Sequence, residues 1–119
     1  MIHNQLYRYR VRVTKIIDGD TIRCAVDVGF GIEFAVTVRL YGMNAPELRG
    51  LSRARGLESQ LRLRVLLGTG PIYLESITWD KYGRCVGRLF TADGADVGET
   101  LVKEGLAERC DEDGKAVAG

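Results

Sequence analysis

The first half of the chain alternates. From Tyr7 to Val13, Tyr7, Tyr9, Val11 and Val13 fall on one side and Arg8, Arg10 and Arg12 on the other. A period of two with one polar face predicts a half-exposed antiparallel strand. Asp18-Gly19 breaks the run as a turn. Ile22, Cys24, Val26 and Val28 resume the alternation, Gly29-Phe30-Gly31 turns it, and Phe34, Val36, Val38 and Leu40 continue it. Three strands joined by short turns make a meander.

Gly42 to Gly50 reads as a loop, punctuated by Pro46. The period then changes. Ala54, Leu57, Leu61 and Val65 recur at helical spacing and predict a buried stripe, with Glu58 and Arg62 as an i,i+4 pair on another face. Gly68 and Gly70-Pro71 end that helix. Ile72-Tyr73-Leu74 starts a fourth strand, Trp79 to Arg84 is a polar connection, and Val86 to Phe90 is a fifth strand closed by Asp93-Gly94. Asp96 with Glu99 three residues on forms a capping-box pattern for a second helix. Val97, Leu101 and Val102 supply its apolar side, and Gly105 its C-terminal cap. The expected fold is α+β, mainly β: a five-stranded OB-fold barrel with helices after the third and fifth strands.

At 119 residues and 13.2 kDa, the chain suits a single domain over residues 1–119. Its 17 Lys+Arg nearly balance its 16 Asp+Glu, so any nucleic-acid footprint must be local. Basic residues crowd two places, Arg8 to Lys15 and Arg49 to Arg64, while Glu108, Asp111, Glu112 and Asp113 make the end acidic. His3 is the sole histidine, which leaves little for a histidine triad or zinc site. Cys24, Cys85 and Cys110 lack metal-type spacing, and an odd count points to free thiols in a reducing compartment. Residues 1–5 lack a leader pattern, so a cytoplasmic location is the default expectation, with secretion open had a leader been removed. No stretch reaches transmembrane length. A monomer without membrane contact is expected.

Four clusters carry potential chemistry. Asp18-Gly19-Asp20-Thr21 offers two carboxylates to a hard cation such as Ca2+. Arg39 ends the third strand on its outward face. Asn44, the Ala45 carbonyl and Glu47 are oxygen donors in one proline-stiffened loop. Asp80-Lys81-Tyr82-Gly83-Arg84 brings an ammonium, a phenol and a guanidinium whose planar fork suits phosphate. Each alone is an ordinary turn or a solvated charge. Together they supply a metal, a base and cations for a charged transition state, the needs of phosphodiester hydrolysis.

These segments resemble the staphylococcal nuclease family: Val13 to Thr21, Val38 to Glu47, Asp80 to Arg84 and Leu101 to Ala107, in that order. The resemblance implies a Ca2+-dependent nuclease acting on DNA and RNA with little sequence readout, cutting on the 5′-oxygen side to leave 3′-phosphate ends. It implies Asp20 as a metal ligand with the Ala45 backbone carbonyl, and Asp18 one shell out. It makes Glu47 the base or orienter of the attacking water, Arg39 and Arg84 the phosphate binders, and Lys81 and Tyr82 substrate contacts.

Two departures stand out. Asn44 occupies a position where the family's Ca2+ enzyme has aspartate, which predicts a weaker or less selective site, with Mn2+ also compatible with oxygen ligands. The aromatic residues that stack on a base beyond the Gly-Leu-Ala segment are replaced by Cys110 to Asp113, leaving Trp79 and Tyr41 as substitutes to be placed. Arg49, Arg53 and Arg55 border the Glu47 loop and are candidates to track the nucleic-acid backbone. The competing readings are a non-catalytic OB-type binding module and a structural domain that merely binds Ca2+.

Overall fold

A computed structural model describes residues 7–111. The amino-terminal segment with His3 and the acidic residues Glu112 and Asp113 lie outside the described residues. Strands β1 (Arg8–Asp18), β2 (Thr21–Asp27) and β3 (Glu33–Leu40) form the expected meander. A two-residue strand β4 (Met43–Asn44) and a 3-10 turn (Gly50–Ser52) lead into helix α1 (Arg53–Leu67). Then come β5 (Ile72–Trp79), β6 (Cys85–Phe90), helix α2 (Val97–Lys103) and a second two-residue strand β7 (Glu108–Arg109). The five long strands close into a barrel in the order β1-β2-β3-β6-β5, with β5 returning to β1. The β3–β6 seam is parallel and the other pairings are antiparallel. With one helix after the third barrel strand and one after the fifth, this is the OB-type α+β barrel that the pattern predicts.

The barrel fills with the inward residues of alternating strands: Val11, Ile22, Cys24, Val26, Val36, Val38, Leu40, Ile72, Leu74, Cys85 and Leu89. Leu63, Leu67, Val97 and Leu101 bring both helices onto this core. Burying each such aliphatic side chain contributes roughly 1.5–3 kcal/mol. Burial also pushes the Cys24 thiol up to about 12, with a small addition from Cys85, so these cysteines are inert core. Helix α2 begins as expected, with the Asp96 side chain accepting from Glu99 N–H. It ends with Leu106 N–H on the Leu101 carbonyl and Gly105 N–H on that of Val102, a Schellman arrangement with Gly105 at φ 75°.

Several expectations need correction. The stripe of Ala54, Leu57, Leu61 and Val65 faces outward. Helix α1 buries Gly56, Ser59, Leu63 and Leu67 instead. Two of those four are small because the helix approaches other backbone closely. A Cβ on Gly56 would lie 2.5 Å from the Glu47 carbonyl oxygen, and Ser59 Oγ donates to the Leu106 carbonyl. Arg62 pairs with Glu104 at 2.7 Å rather than with Glu58. Tyr7, Val28 and Phe34 alternate correctly but lie exposed at the barrel's end. The fourth strand runs on through Ile77 to Trp79, taking in the first residue of the segment read as a polar connection.

Candidate active site

The acidic turn sits between β1 and β2 and is fixed by contacts on three sides. Asp18 Oδ1 accepts from Asp20 N–H at 3.0 Å. Asp20 Oδ1 accepts from the Thr21 hydroxyl, and Asp20 Oδ2 accepts from Ala45 N–H at 2.9 Å. Gly19 is buried in the middle, where a Cβ would meet Ala45 Cβ at 2.6 Å and Ser59 Cβ at 2.8 Å. The glycine is required by close packing of turn, loop and helix rather than by a left-handed backbone. Burial, and then the neighbouring Asp20 carboxylate, push Asp18 up to about 6.

That shift has a consequence with a definite sign. A folded-state carboxyl above its ordinary 3.8 holds its proton more tightly than the unfolded chain does. Its stabilising contribution is present at pH below 4 and is lost as pH rises toward 6. Without divalent cations, Asp18→Asn is expected to match the parent near pH 4 and melt at a higher temperature than the parent at pH 7. Paired thermal melts across that range check it; parallel curves would mean that Asp18 titrates normally.

Arg39 joins the turn to the loop. The β2–β3 register sets Thr21 opposite Arg39, which brings the guanidinium beside Asp20. Its Nη2 lies 3.5 Å from Asp20 Oδ2 and donates to Asn44 Oδ1, while Nη1 donates to the carbonyls of Leu40 and Met43. β7 braces the same loop, pairing Asn44 with Glu108 and Met43 with Arg109. Asp18, Asp20, Arg39, Asn44 and Ala45 thus form one half-buried cluster. Its donors suit a hard divalent cation, because two crowded carboxylates repel each other and an amide oxygen stands nearby. Among the described residues, no three His, Cys, Asp or Glu side chains gather as a metal-holding group, so the set has two acidic members.

Arg39 also lines a cavity of about 630 Å³ with Tyr41, Lys81, Tyr82 and Arg84. The loop from 80 to 84 is organised by Asp80. Its Oδ1 accepts from Tyr82 N–H and Arg84 N–H, and its Oδ2 accepts from Arg84 Nε at 2.7 Å. Burial opposes the Asp80 charge, but these hydrogen bonds outweigh it and hold its carboxyl below the usual range. Two cations approach the Tyr82 ring, Lys81 Nζ at 5.3 Å and the Arg84 guanidinium at 5.1 Å from its centre. Asp80 was legible as a loop residue but not as the anchor of Arg84. Cys110 and Asp111, from the segment that stands in place of the family's stacking aromatics, complete the wall.

Glu47 stands apart. Its side chain is 71% exposed and pairs with Arg49 at 3.4 Å. Arg53 donates to the Leu48 carbonyl at 3.3 Å, so two of the three arginines bordering the loop make contacts within it. The first basic cluster is partly spoken for as well, Arg8 by Glu75 and Arg12 by Glu33.

A closed OB-type barrel thus carries two arginines on one open cavity, with two crowded carboxylates behind one of them. The chain belongs to the staphylococcal nuclease homologue family, whose model matches residues 37–117 and so includes Arg39, Asn44, Glu47 and Arg84. It is 33% identical over 110 residues to endonuclease YncB of Bacillus subtilis (87% of this chain, 49% of that protein). It is 29% identical over 96 residues to an uncharacterized endonuclease of Escherichia coli O157:H7 (81% and 58%). The succinoglycan biosynthesis protein ExoI of Rhizobium meliloti is 36% identical over 110 residues (86% and 53%). The chain spans about half the length of these curated relatives. The family is one of divalent-metal users. Among the described residues, no helix is long and apolar enough to cross a membrane.

Proposed function

We propose that this chain is a Ca2+-dependent nuclease that hydrolyses phosphodiester bonds of DNA and RNA with little sequence specificity, on the 5′-oxygen side, leaving 3′-phosphate ends. The observation that carries the reading is the shared cavity of Arg39 and Arg84, with Arg39 hydrogen-bonded into the Asp20–Asn44 cluster. Asp20, Asn44 and the Ala45 carbonyl would hold the cation, with Asp18 behind them. When bound, the cation supplies Lewis-acid stabilisation of phosphate charge. Arg39 and Arg84 grip the phosphate oxygens from two sides and meet the charge that develops on them. Lys81 and Tyr82 contact the adjoining nucleotide. Glu47 takes a proton from the attacking water. Contacts of this kind read backbone rather than sequence.

The runner-up is a non-catalytic OB-fold module that binds nucleic acid, and one observation favours it: Glu47 is tied to Arg49 at the surface. Labelled single-stranded DNA separates the two. The parent is expected to cut it with Ca2+ and to stop on addition of EDTA. Intact DNA that is nevertheless bound at low salt would select the binding module. Absence of both cutting and binding would leave a Ca2+-binding structural domain.

A further inference from the structure

The cavity that holds Arg39 and Arg84 does not end at the phosphate cations. Ile77, Thr78 and Trp79 form one of its walls, and the same three residues form a wall of a second cavity, of about 430 Å³. The second cavity is apolar, lined by Tyr9, Val26, Phe34, Val36 and Leu74 as well. Trp79 therefore stands at the junction, with cations on one side and hydrocarbon on the other. It is 57% exposed and meets Phe34, itself 50% exposed, edge to face at 6.4 Å and 80°.

Each aromatic residue near the phosphate cations has a different state. Tyr82 is flanked by Lys81 and Arg84, and Tyr41 carries the Arg88 guanidinium 4.7 Å from its ring centre. Those rings carry cations against them, although Tyr82 is itself 70% exposed. Trp79 has Phe34 edge to face against it and keeps indole surface open. A ligand that fits this junction has a flat apolar face joined to an anionic chain. That is the chemistry of a base on a phosphodiester backbone.

We propose that Trp79, braced by Phe34, is a base-stacking subsite for a nucleotide next to the phosphate held by Arg39 and Arg84. The subsite favours single strands, whose bases are free to leave their neighbours, over duplexes. The inference rests on the nuclease reading given above, and the test keeps the two apart. Trp79 is the chain's sole tryptophan, so emission reports this site directly.

In EDTA, an eight-residue oligothymidylate is expected to quench the emission, and a duplex of equal length to quench it far less. With Ca2+, Trp79→Leu is expected to raise KM for the oligonucleotide about 5- to 150-fold, the worth of one stacked base, with kcat little changed. Trp79→Phe keeps a flat face and is expected to restore most of the loss. Leucine preserves apolar bulk, so a loss with Leu and rescue with Phe isolates stacking from packing. A parent that cuts with unquenched emission, or equal KM for all three proteins, overturns the subsite and leaves the nuclease intact. Emission already shielded from acrylamide before any ligand is added also overturns it, since the indole face would then not be open to a base. A parent that neither binds nor cuts removes both readings together.

Discussion

Arg84→Ala is expected to lower kcat on a single-stranded oligonucleotide about 10²- to 10³-fold, the usual cost of losing one donor aimed at transition-state charge. Arg84→Lys is the more discriminating variant. Asp80 accepts from Arg84 Nε at 2.7 Å, an arrangement that uses one edge of the guanidinium and leaves the terminal nitrogens for phosphate. A lysine has one nitrogen and must choose between Asp80 and substrate. The conservative variant is therefore expected to lose nearly as much kcat as alanine. The Asp80–Arg84 pair is partly exposed, and such pairs contribute about 0–1 kcal/mol, so melting temperatures should move little. Steady-state kinetics of both variants, with a melt as control, decide it. Full activity with lysine would mean that a point charge suffices.

Glu47→Gln is expected to reduce kcat about 10²- to 10⁴-fold, as for a general base. The ion pair with Arg49 makes a second arm informative. In the proposed role Glu47 would leave Arg49 to reach a water, and that contact would then compete with catalysis. Arg49→Ala should then hold or increase kcat, while Glu47→Gln in the same background should still abolish it. Single-turnover cleavage of labelled DNA measures both. If Glu47→Gln cuts like the parent, Glu47 is a surface ion-pair residue and the base lies elsewhere.

The barrel was legible in the sequence because period-two alternation of β-branched residues marks strands, and Asp-Gly and Gly-Phe-Gly mark turns. Helix α1 was legible as a helix but not in its facing. Leu57, Leu61 and Val65 carry as much hydrophobicity outward as Leu63 and Leu67 carry inward. What turns it is the fit of Gly56 and Ser59 against the Glu47 loop and Gly19, and small residues give no hydrophobic signal. The two-residue strands β4 and β7 are too short to show a period. At the site, the segments that drew Asp18, Asp20, Arg39, Asn44 and Ala45 together were readable from the motif. The route of the Glu47 side chain to Arg49 was not, since a flexible exposed carboxylate is placed by local ion pairing. Nor was the junction role of Trp79, which arises where β5 continues beyond its apolar start.

The parallel seam has a consequence for how the protein comes into being. Asp20, Arg39 and Asn44 are neighbours in a hairpin and its following loop, and such local contacts form readily. Arg84 reaches them when β6 docks on β3, across α1 and β5, a closure that demands a long excursion of the chain. A nascent or damaged copy therefore has the Asp20–Arg39–Asn44 cluster without the cavity that Arg84 completes. Any activity that needs both arginines is then a property of the finished barrel alone.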